Sequence, residues 1–294
     1  MLRTLRTLRV THDTRYEYGG RIEQAYHVAQ LKPLNFALQA LQSFSLTSEP
    51  QPLVMDEMID TFGNARISFN LDVPHEELFV RAVSSVRVSR PEPAREGTRP
   101  WEAVRDELVY HAGAQFDPAS EFLFASEYVP RHAELAAFAA ASFTPGRPIV
   151  QAAWHLCERI YTGFAYTPQS TAVNTPALEA LRGKRGVCQD FTHVMIGALR
   201  SIGLAARYVS GYLMTQPPPG KARLIGADAS HAWASVYLGA GEWLELCPTN
   251  NRAPGDDYVT LAYGRDYADI APLRGVIHGS GAHELTVAVT VEEV

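Results

Sequence analysis

The amino-acid sequence predicts an α+β protein in which a β-sandwich-like N-terminal domain precedes a core of mixed helices and strands. Residues 8–90 contain short runs of β-branched and aromatic residues separated by turn signals, whereas helix formers dominate further on. Between these regions, residues 90–100 are polar and rich in proline, as expected of a domain boundary. We therefore expect domains at 1–95 and 96–270, followed by a C-terminal strand segment at 271–294 that completes a sheet.

Composition and charge narrow the class of protein. The 294 residues are 46% hydrophobic and 20% charged, which is typical of a soluble globular chain. A net charge of −6 gives no reason to expect nucleic acid as a partner. No apolar run approaches the ~20 residues that cross a bilayer, and the N-terminal MLRTLRTLRV lacks the continuous apolar stretch of a signal peptide. We therefore expect a cytoplasmic protein that has no membrane partner.

The three cysteines give no sign of a disulfide framework or a metal site. Cys157, Cys188 and Cys247 are far apart in the sequence and lack zinc-ligand spacing. Cys157 falls on the apolar face of a helix predicted over residues 149–161, which favours a role in core packing. The sequence therefore predicts neither a metal nor a cofactor.

The N-terminal domain is expected to consist of strands and tight turns. Residues 8–12 and 14–18 are rich in strand formers, and Gly19-Gly20 is interpreted as the turn that follows them. Phe62-Gly63-Asn64 is interpreted as a hairpin turn. The final strand is expected at residues 284–291.

Residues 185–193 contain the first candidate for chemistry. Beyond Cys188, apolar residues recur every three or four positions as far as Ile202, and Gly203 occupies the position of a left-handed C-terminal cap. This spacing predicts an amphipathic helix with Cys188 in its first turn. Backbone N–H groups and the helix dipole at that end favour a thiolate, the nucleophilic form of cysteine.

A predicted hairpin brings a histidine near a second cysteine. Strands are expected at residues 230–238 and 242–247, joined by Gly239-Ala240-Gly241. His231 and Trp233 share one face of the first strand because side chains alternate with a period of two. If the hairpin is centred at Gly239, His231 lies opposite Cys247, with Cβ atoms ~5 Å apart.

Three sequence blocks together resemble the bacterial transglutaminase-like superfamily. The blocks are Arg185–Phe191, Ala229–Trp233 and Cys247–Asn251. The resemblance implies a papain-like core with Cys188 as nucleophile and His231 as base. It also implies acyl transfer through a thioester on a peptide or protein substrate, with hydrolysis favoured over cross-linking. The alternative is a catalytically impaired relative that only binds peptides or proteins.

Cys247 departs from the family pattern, which has Asp at this position. A neutral thiol is a weak hydrogen-bond acceptor and cannot balance an imidazolium charge. Four interpretations remain open: another group such as Asn250, Asn251 or Asp228 orients His231, Cys247 is a thiolate paired with His231, the residue has been altered, or activity is weak or lost. A Cys188–Cys247 disulfide is a further hypothesis.

Other polar and aromatic residues near these blocks have structural explanations. Asp190 is expected to cap the helix start and His193 to pack in the core. Trp233 is a candidate for substrate contact, although aromatic residues in strands more often belong to the core. The pair Asp256-Asp257 supplies too few ligands for a calcium site.

Overall fold

The computed structural model describes residues 5–113, 115–168, 175–215, 229–279 and 281–294. The strands are β1 (Arg6–Ala29), β2 (Gln39–Glu49), β3 (Met55–Ile59), β4 (Ala65–Leu71), β5 (His75–Val88), β6 (Ala165–Tyr166), β7 (Arg185–Gly186), β8 (Ala206–Leu213), β9 (Ala229–Gly239), β10 (Glu242–Leu246), β11 (Tyr258–Gly264), β12 (Leu273–Gly279) and β13 (His283–Glu293). The helices are α1 (Trp101–Glu107), α2 (Ala133–Ala140), α3 (Ile149–Gly163), α4 (Ala177–Gly183) and α5 (Cys188–Ser201), with 3-10 helices at Pro118–Leu123 and Tyr267–Asp269. The predicted α+β class and the strand-rich N-terminal region are confirmed.

The N-terminal sheet is organised around the long strand β1. The sheet has the order β2-β5-β1-β4-β3, and the C-terminal strands β12 and β13 also pair with β1. All of these pairings with β1 are antiparallel. The predicted C-terminal strand therefore completes the N-terminal sheet. The predicted domain boundaries themselves stay predictions.

Gly19-Gly20 does not form the predicted turn. Strand β1 runs through both glycines, and its register with β5 shifts between Glu17 and Ile22. The amide of Gly19 donates to the carbonyl of Ala282 at 2.8 Å. Pairing with distant strands keeps this segment extended, so the glycines mark a β-bulge. The second turn prediction is correct, because Gly63 lies between β3 and β4 with a φ of +85°.

The core places helix α5 against a second sheet. This four-stranded sheet has the order β10-β9-β8-β11. The predicted apolar residues of α5 are buried except for Ile202, which is partly buried. Gly203 has a φ of +86° and donates to the carbonyl of Arg200, which confirms the predicted cap. The helix is thereby fixed with its first residue, Cys188, close to strand β9.

Candidate active site

The start of α5 depends on Gly186 and Asp190. The φ of Gly186 is +154°, and a Cβ at that position would lie 2.5 Å from Oδ2 of Asp190. The same carboxylate oxygen accepts the backbone N–H of Val187 at 2.8 Å. Asp190 therefore holds the chain entering the helix, as predicted, and it lies at the N-terminal end where a negative charge is favourable.

The thiol of Cys188 lies against strand β9. Cys188 is partly buried, and the backbone N–H of Ala232 donates to its sulfur, as does that of Gln189. Ala232 directly follows His231, so this hydrogen bond places the thiol beside the strand residue adjacent to the histidine. The pairing of Cys188 with the imidazole of His231 itself stays a prediction.

His231 contacts Cys247, although the hairpin register differs from the prediction. Nε2 of His231 lies 3.1 Å from Sγ of Cys247. Leu246 pairs with Ala234, and continuing this register places position 247 opposite Trp233 instead of His231. The hairpin is centred one residue later than predicted, at Ala240. The contact persists because residues 231 and 233 share a strand face, so His231 is the diagonal neighbour of position 247 on that face.

Several hydrogen-bond donors surround the sulfur of Cys247. The side-chain amide of Asn250 lies 3.4 Å from the sulfur and 3.4 Å from Nε2 of His231. The hydroxyl of Tyr258 and the backbone N–H groups of Thr249 and Asn250 also donate to the sulfur. Such a set of donors is suited to an anion, because a carboxylate accepts more and stronger hydrogen bonds than a neutral thiol.

Burial keeps the proposed nucleophile and base uncharged. It raises the pKa of the Cys188 thiol to about 11, even though the amides of Ala232 and Gln189 lower it. It also lowers the pKa of His231 to about 4. Removal from water therefore outweighs the helix-terminus effect, and the expectation of a resting thiolate is wrong. Burial raises the pKa of Cys247 too, so a resting Cys247 thiolate is not favoured either.

Asn250 is the predicted orienting residue that the structure places near His231. Asn251 is the next residue, with a left-handed φ of 49°, and Asp228 lies outside the described residues. Tyr258, which the sequence gave no reason to single out, donates to Cys247 and lies 2.9 Å from the amide nitrogen of Asn250. Only the pairing of β11 with β8 brings Tyr258 here, so local sequence carries no signal for it.

Trp233 is not accessible for the predicted contact with substrate. Its side chain is fully buried and packs in a cluster with Val209, Cys247 and Tyr258. Its indole N–H donates to Glu245 at 2.9 Å. The alternation of the strand turns Trp233 inward, so its contribution is to support the position of Cys247.

The remaining candidates agree with structural roles. His193 is fully buried, and its Nε2 accepts the backbone N–H of Tyr267 at 3.2 Å. Asp257 pairs with Arg252. The three cysteines are free, so the structure contains no Cys188–Cys247 disulfide. Within the described ranges, no cluster of three or more His, Cys, Asp or Glu side chains could hold a metal ion.

A cavity adjoins the site at Asn250. It has a volume of about 530 Å³ and is lined by Asn250, Arg252, Asp257, Arg6 and residues 213–215. Because Asn250 also contacts His231, the cavity lies beside the candidate site and is a place where part of a substrate could bind.

The fold and this arrangement define an α+β protein of the transglutaminase-like class, with a cysteine at the start of the central helix and a histidine on the adjacent strand. Residues 136–248 match the model of the transglutaminase-like superfamily, and residues 8–87 match that of the bacterial transglutaminase-like N-terminal region. The chain belongs to this superfamily.

Similar proteins cover nearly the whole chain. An uncharacterized protein of Mycobacterium tuberculosis strain H37Rv is 40% identical, covering 97% of this chain and 92% of that protein. An uncharacterized protein of Mycobacterium leprae is 32% identical, covering 97% and 98%. A crystal structure titled "Putative Cysteine Protease from Cytophaga hutchinsonii" is 20% identical with a TM-score of 0.75, covering 99% of this chain and 91% of that one. This last likeness shows a shared fold.

No helix in the described part of the chain is long and apolar enough to span a membrane.

Proposed function

We propose that this protein is a cysteine-dependent enzyme that cleaves amide, peptide or isopeptide bonds through a thioester on Cys188, without a cofactor. The observation that carries the proposal is the hydrogen bond from the backbone of Ala232 to the Cys188 sulfur. It brings the sulfur to the strand residue next to His231, whose imidazole contacts Cys247 and Asn250. These contacts support the proposed arrangement of nucleophile, base and orienting groups, which is the arrangement that thiol catalysis requires.

In the proposed reaction, the resting neutral pair reacts by general base catalysis. As the sulfur attacks the carbonyl carbon, His231 removes the thiol proton, and Nδ1 is the nitrogen assigned to this step because Nε2 faces Cys247. The backbone N–H of Cys188 stabilises the oxyanion. The C–N bond then breaks, and the leaving amine takes the proton from His231. Water attacks the thioester by the same route, which releases the acid and restores the thiol.

We propose that water, and not an amine, is the usual acyl acceptor, as in the hydrolases of the family that the sequence resembles. The proposed substrate is a peptide or protein. The proposed compartment is the cytoplasm, in keeping with three cysteines that are all reduced.

A second candidate is a peptide-binding protein that has lost turnover. The observation that favours it is the uncharged Cys247 at the position where the family pattern has Asp, together with the low pKa of His231. Without a carboxylate, an imidazolium formed during attack would be poorly stabilised.

Acylation by p-nitrophenyl acetate separates the two candidates. This activated ester needs no recognition pocket, so it reports on the nucleophile alone. For an enzyme we expect continuous nitrophenol release and a transient acetyl group on Cys188, detected by mass spectrometry. Both should disappear in Cys188→Ala, weaken in His231→Asn and persist in Cys157→Ala. Stoichiometric or absent acetylation of Cys188, with no turnover, would instead identify the binding protein.

A further inference from the structure

A second, larger cavity lies away from the candidate active site. Its volume is about 880 Å³, within the range of small-molecule sites. It is enclosed by the β3–β4 turn, the first 3-10 helix, the β9–β10 hairpin and the segment after β11. Tyr237 of β9 lines it, six residues or about 20 Å along the strand from His231. None of Cys188, His231 and Cys247 contributes to its lining.

One wall of this cavity is aromatic. The ring of Phe122 lies 5.4 Å from that of Phe62 and 5.7 Å from that of Trp243. Phe116 completes the lining and is 73% exposed. An exposed phenylalanine at the edge of an aromatic wall provides a contact surface for the apolar part of a ligand.

The cavity is lined by equal numbers of arginines and acidic residues, but the two groups differ in their hydrogen-bond partners. The lining contains the four arginines Arg66, Arg207, Arg265 and Arg274 and the four acids Asp60, Asp117, Glu121 and Asp269. Three of the carboxylates already accept hydrogen bonds from other residues of the protein. Asp60 accepts the backbone N–H groups of Phe62 and Asn64. Asp117 accepts the backbone N–H of Ala119 and the hydroxyl of Tyr237, and Asp269 pairs with Arg265.

Three of the arginines, by contrast, lack a carboxylate partner among the described residues. Nε of Arg66 is buried with no hydrogen-bond partner. Arg274 donates to the carbonyl of Ala268 at 3.0 Å. Arg207 donates to the hydroxyl of Ser235 and stacks on Trp243, with its guanidinium carbon 4.1 Å from the ring centre. A buried guanidinium nitrogen without an acceptor is costly, so an anionic ligand would satisfy it.

We propose that this cavity binds a small organic anion, a carboxylate or phosphate ester that carries an aromatic or aliphatic group. Arg66 and Arg274 would bind the anionic oxygens, because the guanidinium fork matches carboxylate and phosphate geometry. Phe116, Phe122 and Trp243 would cover the apolar group. The site is separate from the proposed chemistry at Cys188, and its occupation does not depend on that chemistry.

Calorimetric titration of the full chain tests the proposal with four probes. N-acetyl-phenylalanine and phenyl phosphate present the two anionic groups on an aromatic body. N-acetyl-phenylalanine amide lacks the charge, and inorganic phosphate lacks the apolar group. We expect saturable binding of at least one aromatic anion, with the amide and inorganic phosphate weaker by about tenfold or more. Whichever anion binds more tightly identifies the acidic group.

Variants locate the site. We expect Arg66→Met to weaken binding about tenfold, since it removes a charge-assisted contact, and Phe116→Ala to weaken it as well. Arg21→Met, at an exposed arginine of β1, serves as the matched control. Binding should persist in Cys188→Ala, and alkylation of Cys188 should be unchanged in Arg66→Met, which also shows that this variant folds. The proposal is overturned if neither aromatic anion saturates, if the amide binds equally well, or if Arg66→Met binds like the unmodified protein.

Discussion

Replacing Cys247 with Asp should strengthen the proposed catalytic pair. The sulfur of Cys247 lies 3.1 Å from Nε2 of His231 and receives hydrogen bonds from Tyr258 and two backbone amides. An aspartate carboxylate would accept the same donors and add a negative charge beside the imidazole. Because this charge favours imidazolium, the pKa of His231 should rise from about 4.

The size of the effect follows from the interaction between adjacent opposite charges. A neighbouring carboxylate raises the pKa of a histidine by about 1–3 units, and each unit corresponds to ~1.4 kcal/mol. Proton transfer from Cys188 to His231 should therefore become roughly 10 to 1000 times more favourable. In serine proteases, impairing the equivalent carboxylate lowers kcat by about 10⁴, which shows how large this support can be.

The assay is the rate of Cys188 alkylation by iodoacetamide between pH 5 and 10, followed by mass spectrometry. We expect slow alkylation near neutral pH in the unmodified protein, because burial raises the pKa of Cys188 to about 11. Cys247→Asp should react at least about tenfold faster at neutral pH. Cys247→Asn is the matched control, since it offers a similar shape without charge. Equal rates for the Asp and Asn variants would refute the electrostatic reasoning.

Three further predictions concern the parts of the fold that hold the site. Gly186→Ala should abolish acetylation of Cys188 because its Cβ would clash with Asp190, whereas Gly163→Ala, with open space around it, should react normally. Burial lowers the pKa of His193 to about 3, so the unfolded state binds more protons between that value and 6.5. The urea midpoint should therefore be lower at pH 5 than at pH 7.5, because this histidine alone lowers the free energy of unfolding by roughly 2 kcal/mol over that interval. Equal midpoints would contradict this. Arg200→Met should lower the free energy of unfolding by about 3 kcal/mol or more, since the buried carbonyl of Ala206 and the part-buried carbonyls of Phe124 and Arg265 lose their donor. Arg182→Met, at an exposed ion pair, should change it by less than ~1 kcal/mol.

Sequence periodicity was sufficient to locate the elements that carry Cys188 and His231. Helix α5 has a single apolar stripe and a glycine cap, and both signals are local. The β9–β10 hairpin is marked by the glycines at 239 and 241. Its register was wrong by one residue at the centre, because three consecutive left-handed residues, Gly239, Ala240 and Gly241, shift the turn. Local patterns thus give the elements, whereas turn geometry decides which side chains meet.

The properties that depend on tertiary structure could not be predicted from local sequence patterns. Gly19-Gly20 has the sequence of a turn, but the flanking residues of β1 pair with β5 and β13 and the amide of Gly19 donates to Ala282, so the strand continues through both glycines. The pKa of Cys188 is decided by removal from water, which outweighs the amides that the helix pattern predicts. Tyr258 reaches Cys247 through the sheet, and Arg66 and Arg274, which are distant in sequence, line the same cavity.

The pairing of β1 also sets the order in which the chain can fold during synthesis. Strand β1 leaves the ribosome before the other described elements, yet two of its partners, β12 and β13, are made after them. Until residue 293 emerges, one edge of β1 is unpaired over most of its 24 residues, and an open strand edge invites pairing with other chains. The helices and sheet around Cys188 lie between these strands in the sequence and can form beforehand. A ribosome stalled short of β12 would therefore hold a core that has folded and an N-terminal sheet still open to aggregation.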